Sequence, residues 1–126
     1  KEHINTGWFS ANLDTVINYI PTRLTALLMI VSAAILSKDA KNAWRIACRD
    51  HKKTPSRNHG WPMAAMAGAL RVQLEKPEQY VLGDPSEPLT GDKILGALRI
   101  RDVTIVLWML LCVLVIVVTR MLFFSF

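Results

Sequence analysis

Two short stretches hold most of the residues able to do chemistry. In the first, Asp14 and Asn18 are four apart and share a helix face, and Arg23 follows just past Pro21. Together they can bind a metal–phosphate group, with carboxylate on the cation and guanidinium on the phosphate. Asp14 is therefore the candidate metal ligand. The same residues also suit a plainer arrangement, a capping Asp14 and an Arg23 that snorkels. The second stretch contains Arg49, Asp50, His51, Lys52 and Lys53, then Ser56, Arg57, Asn58, His59 and Gly60 ahead of Trp61-Pro62. Its basic residues offer charge-assisted contacts to anions. A helix opening at Pro62 adds unpaired N–H groups and a positive dipole end, which suit phosphate or carboxylate. Ordinary capping by Asn58 among solvated lysines accounts for the same pattern. Asp50 can orient or deprotonate an amine, or sit in an exposed ion pair worth little. His51 and His59 are candidate acid–base groups, or simply solvated.

The elements that position these residues are set by segregated hydrophobicity. The chain has 126 residues, 52% of them hydrophobic and 20% charged, with a formal charge of +5. That composition predicts apolar blocks separated by a polar stretch. Residues 103–118 carry no charge and span roughly 24 Å as a helix. With Arg120 snorkelling and the Met-Leu-Phe-Phe tail, residues 103–124 are expected to cross a membrane. The block at 24–36 is too short to cross alone. We expect residues 13–36 to form a helix kinked at Pro21, or a re-entrant one, whose first half lines a cytoplasm-facing cavity. If 24–36 crossed outright, Asp14 to Arg23 and the basic loop would lie on opposite faces.

Between the blocks, residues 37–101 hold twelve of the fifteen Lys and Arg. The positive-inside rule places this segment in the cytoplasm. Helices are expected over 38–50 and 62–74, a Pro/Gly/Asp-rich loop over 76–92, and a helix from 93 that runs into the membrane segment. Ala64 and Gly68, like Ala65 and Ala69, are four apart and permit close helix packing. Cys48 and Cys112 read as free thiols. The basic residues are not interleaved with aromatics, so nucleic acid is not an expected partner. The fold class is all-α: an integral membrane protein with one or two membrane helices and a helical, loop-rich cytoplasmic segment. It is expected to be one domain, and the opening Lys1 suggests a fragment or a processed product.

Taken together, the motifs resemble the CobD/CbiB family of adenosylcobinamide-phosphate synthases. The similarity begins at Gly7-Trp8-Phe9-Ser10-Ala11-Asn12-Leu13-Asp14 and continues through Asn18-Tyr19-Ile20-Pro21-Thr22-Arg23-Leu24. Arg49-Asp50, then Pro55-Ser56-x-Asn58-x-Gly60, then Ala64 to Leu70, follow in the family's order. The chain departs from the pattern at Arg57 (usually Pro), at Met63 (commonly Glu), and at Arg71, Glu75 and Lys76 (usually Gly).

The resemblance implies ATP-dependent amide formation. Adenosylcobyric acid is joined to aminopropanol or its O-phosphate, with ATP and Mg²⁺ as cofactors and the corrinoid as substrate. It implies Asp14, Asn18, Arg23, Arg49 and Asp50 as catalytic residues. Ser56, Asn58, Gly60, Lys52 and Lys53 then bind substrate or phosphate. It also implies the C-terminal part of a longer membrane enzyme, a multi-pass protein of the inner cell membrane in contact with the bilayer. A homo-oligomer or a complex with other late cobalamin-pathway membrane enzymes fits as partner. Two other functions compete: a non-catalytic AmpE-like regulator, which needs neither Arg49-Asp50 nor Ser56-x-Asn58-x-Gly60, and a corrinoid-handling scaffold or transport subunit.

Overall fold

The break that shapes the molecule falls at Asn18. Helix α1 (Glu2–Ile17) and helix α2 (Tyr19–Ile35) meet there at 40°. The kink was expected at Pro21. That proline instead sits in the first turn of α2, where a missing N–H costs nothing. Asn18 covers the junction by donating from its side chain to the Asp14 backbone oxygen at 3.0 Å. The structure is a computed structural model that describes residues 2–125, with side chains from residue 5.

After α2 come helix α3 (Ala40–Asp50), a 3-10 turn (His51–Lys53), helix α4 (Gly60–Leu70), strands β1 (Leu74–Lys76) and β2 (Tyr80–Leu82), and helix α5 (Gly91–Phe124). The protein is mostly helical, as expected, but not purely so. Leu74, Glu75 and Lys76 pair with Leu82, Val81 and Tyr80 in an antiparallel hairpin. Helix α4 stops at Leu70, not Leu74. Arg71 adopts φ 58, with its N–H on the Gly68 oxygen and the Val72 N–H on the Ala67 oxygen. That is the Schellman stop, which usually carries glycine. Ser37 ends α2 in the same way, and Asp39 then caps α3 by accepting from the Asn42 N–H at 3.0 Å.

Small residues let α2, α3 and α4 close on one another. Ala26, Ala47 and Ala65 meet at the centre, all buried. A Cβ on Gly68 would lie 2.6 Å from the Asn42 oxygen and 2.7 Å from the Ala43 Cα. The expected close-packing role of the Ala64/Gly68 and Ala65/Ala69 faces is therefore met. Met29, Ala33, Leu70, Val72 and Ile100 form the second core cluster.

Helix α5 runs antiparallel to α2. Its Thr104 and Trp108 bond to Ser32 (3.0 Å) and Thr25 (3.1 Å). It is long and apolar enough to cross a membrane, and none of its most apolar window is buried. The bent α1–α2 pair passes the same test only if taken as one span.

Gly68→Ala is expected to cost about 1–3 kcal/mol, because backbone atoms cannot yield to the new methyl. Arg71→Gly should act oppositely and stabilise by about 1 kcal/mol, since the left-handed backbone no longer carries a side chain. The Arg71–Asp39 ion pair that this substitution removes is long, 3.8 Å, and exposed, so its absence costs little. Thermal midpoints of the detergent-solubilised protein check both; equal shifts of one sign would contradict this packing.

Candidate functional site

The two polar stretches converge. Asn58 is buried and accepts from an Arg23 guanidinium N–H at 3.4 Å. Its own amide N–H donates to the Thr15 backbone oxygen at 3.0 Å. The region around the α1–α2 break and the basic loop are therefore on one side of the molecule. Arg23 is held further by the Tyr19 oxygen (2.9 Å) and by the Tyr19 ring, 3.4 Å from its guanidinium carbon. Its guanidinium forms one wall of a cavity of about 410 Å³ also lined by His51, Lys52, Ser56 and Arg57. Three permanent cations and no carboxylate face this space, which suits a phosphate or carboxylate group. A smaller apolar cavity of about 180 Å³ lies on the other side of Arg23, against Trp44 and Trp61.

The loop itself is built to hold this shape. Ser56 Oγ accepts the N–H groups of Asn58 and His59, both at 3.4 Å. The Thr54 hydroxyl donates to the Ser56 oxygen at 2.8 Å. Gly60 lies against the backbone of the 3-10 turn. A Cβ there would lie 1.9 Å from the His51 oxygen, so only glycine lets α4 start against the 3-10 turn. The helix thus begins at Gly60, with Pro62 inside its first turn, and neither Gly60 nor Trp61 lines the basic cavity.

Arg49 and Asp50 are the centre of an ion-pair lock. Asp50 is fully buried. One of its oxygens accepts from Arg49 Nε (2.7 Å) and Lys53 Nζ (3.0 Å); the other accepts from Arg49 (2.9 Å) and the Gly83 N–H (2.7 Å). A carboxylate has about four acceptor positions, and all are taken. Burial alone would push this carboxyl up. The bonds from Arg49, Gly83 and Lys53 outweigh it and hold Asp50 well below the usual carboxylate range. In this arrangement Asp50 has no free acceptor position to offer an amine.

Arg49 is raised above its ordinary value, first by Asp50 and also by Asp84, which it meets at 3.0 Å. Asp84 takes a second bond, from Arg45 at 2.9 Å. The Arg49–Asp84 link spans 35 residues, and the Pro/Gly/Asp-rich loop expected over 76–92 gave no sign of it. Lys53 belongs to this lock, whereas Lys52 faces the cavity.

Asp14 is exposed and accepts from the Asn18 side chain at 2.9 Å. That pairing is the expected shared face. Among the described residues, no three His, Cys, Asp or Glu side chains gather in a way that could hold a metal ion. Cys48 and Cys112 are free.

Asp50→Asn is expected to cost about 1–3 kcal/mol, because the buried site loses charge-assisted acceptors while the half-exposed Arg49 and Lys53 can turn to water. Since folding lowers the Asp50 pKa, its stabilisation is full above about pH 4 and fades as pH falls below that. Thermal midpoints measured down to about pH 3 should fall more steeply for wild type than for Asp50→Asn. Parallel slopes would contradict the lock.

A family model described as CobD/Cbib protein matches residues 1–110. The chain is 47% identical over 110 residues to a probable cobalamin biosynthesis protein CobD of Methanothermobacter thermautotrophicus, covering 87% of this chain and 37% of that one. It is 45% identical over 114 residues to the cobalamin biosynthesis protein CobD of Dehalococcoides mccartyi, covering 90% and 37%. A probable CobD of Methanocaldococcus jannaschii is 34% identical over 115 residues, covering 91% and 37%. The chain thus spans little more than a third of the length of these relatives. No solved structure matches it. With matching motifs in one order and a family model covering nearly its whole length, this chain belongs to the CobD/CbiB family.

Proposed function

We propose that this chain carries the anion-handling site of a membrane-bound ligase of cobalamin biosynthesis. The reaction joins a carboxylate of adenosylcobyric acid to aminopropanol or its O-phosphate, with ATP consumed. The product is adenosylcobinamide or its phosphate. The observation that carries this reading is the Arg23–Asn58 contact, which brings both family motifs to one cationic cavity. The relatives' names supply the pathway.

The cavity suits the task in three ways. Arg23, Lys52 and Arg57 can neutralise the charge that builds on a phosphoryl group or a carboxylate as bonds change. Arg23 is pre-set by Tyr19 and Asn58, so little order is lost when an anion binds. The adjoining apolar cavity offers room for an uncharged part of a substrate. A resident metal does not fit the lining, which contains no carboxylate; Mg²⁺ would arrive with the phosphates of ATP as substrate. Asp14 remains a candidate for the substrate amine. Helix α5 crosses the inner membrane in this reading, and residues 37–101 face the cytoplasm.

The test is a reconstituted assay. Full-length protein in proteoliposomes receives ATP, Mg²⁺, adenosylcobyric acid and either amine, and the cobinamide product is measured. Arg23→Ala should lower kcat/KM roughly 100-fold, as loss of one charge-stabilising donor does elsewhere. Asn58→Ala should act in the same direction through Arg23. Absence of product from wild type with both amines would sink the ligase reading and leave the regulator or scaffold.

A further inference from the structure

We propose that His51 is the group that takes the proton from the attacking amine. This rests on the amide-forming reading above. An amine of this kind is protonated near neutral pH and cannot attack until it loses a proton. The carboxylate beside His51 in sequence, Asp50, has every acceptor position filled. The charged residues lining the cavity are Arg23, Lys52 and Arg57, which accept no proton. The Thr54 hydroxyl donates to a backbone oxygen, and Ser56 caps the turn. Among the described residues of that wall, His51 alone is a base suited to neutral pH.

Its placement is defined from both sides. Asp50, one residue before, is anchored in the lock, and Gly60 lets α4 press against the His51 backbone. The imidazole stacks on the Trp61 ring at 3.9 Å and 15°, which fixes its plane. Among the described residues its ring nitrogens have no hydrogen-bond partner, and they are not sealed from the cavity. Every charged group facing it is a cation: Lys52 on its own turn, Arg23 on α2 and Arg57 on the loop. Trp61 of α4 is neutral, His59 lines a separate pocket, and Lys53 is turned to Asp50. Burial first, then Lys52 and Arg23, lower the imidazole below its ordinary value, so it stands neutral at pH 7.

The step balances as follows. A corrinoid carboxylate oxygen first bonds the γ-phosphorus of a nucleoside triphosphate, the γ-phosphorus–oxygen bond to the β-phosphate breaks, and nucleoside diphosphate leaves behind an acyl phosphate. His51 accepts one proton from the ammonium group of the second substrate. The freed amine forms a C–N bond to the acyl carbon, and the C–O bond to phosphate breaks. Inorganic phosphate departs with the second amine proton, and the imidazolium returns its proton to water.

Full-length wild type and His51→Gln would be compared for ATP-dependent product formation between about pH 6 and pH 9. His51→Gln should lose roughly 100-fold in kcat near pH 7 with a similar KM for the amine, and its rate should keep rising toward pH 9 with the free-amine fraction, where wild type has levelled off. The same variant should keep ATP-dependent hydroxamate formation from hydroxylamine, an amine largely unprotonated at neutral pH. Turnover and pH profile unchanged in His51→Gln would overturn the proposal. So would equal loss with hydroxylamine, which would make His51 structural. Wild type inactive with every amine would instead refute the ligase reading itself.

Discussion

A carboxylate with no exposed surface holds the polar part of this molecule together. Asp50 costs several kcal/mol to take out of water, and that cost is offset only if its acceptors are filled. Four donors fill them: two from Arg49, one from Lys53 and one from the Gly83 backbone. Each donor belongs to a different constraint. Arg49 extends the charge to Asp84 and so ties α3 to the segment after β2. Lys53 tightens the 3-10 turn. The Gly83 N–H is available only because φ 80 and a missing Cβ let that backbone approach; a Cβ there would lie 2.4 Å from the Val72 oxygen. Removing the charge would release the hairpin and the turn together, and His51 and Lys52 with them.

A second constraint sets where Arg23 can be. Alanine and glycine on α2, α3 and α4 allow these helices to approach until Ala26, Ala47 and Ala65 touch. Larger residues would push α2 outward and carry Arg23 away from Asn58. The 40° break at Asn18 does the complementary work. It turns α1 so that the Thr15 oxygen faces the Asn58 amide. Arg23, Asn58 and Thr15 thus form a three-part joint whose geometry depends on a proline, an asparagine and a handful of methyl groups. None of these need touch a substrate to govern how the cavity binds one.

Much of this was legible in the sequence where one physical rule acted alone. The uninterrupted apolar run from Val103 announced a long helix, and it continues from Gly91 without a break. Small residues at four-residue spacing announced close packing. The meeting of the two polar stretches could be inferred only by asking one cavity to hold both. Other features were hidden because two rules competed. Pro21 suggested a kink at itself, yet a proline fits a first helical turn as well as it breaks an interior one, so the bend moved to Asn18. Leu70 to Leu74 kept a helical pattern, but Arg71 accepted a left-handed backbone that glycine takes far more readily. Three-residue strands are too short for a periodic signal. Arg49 and Asp50 stand out in the sequence because adjacent opposite charges are distinctive, but the burial of Asp50 is not legible there.

If α5 crosses a membrane as proposed, the depth of the site follows from α2 and α5 taken together. Past Leu111 every described residue of α5 is exposed, and 112–124 would cover only about 20 Å of a ~30 Å hydrocarbon layer. A crossing by α5 must therefore begin earlier, near Ile105. The antiparallel contacts Thr104–Ser32 and Trp108–Thr25 put the start of α2, and Arg23 with it, at the same depth. A cationic cavity at that depth is tolerated only where protein or trapped water faces it. Helix α2 has the form of such a partition. Its inner face carries Ala26, Met29, Ser32 and Ala33, all buried against neighbouring helices. Its outer face carries Ile20, Val31 and Ile35, all exposed and apolar. The crossing proposed for α5 and the protected cavity proposed at Arg23 thus require the same thing of α2, a lipid-compatible back and a polar-edged front, and one 17-residue helix meets both.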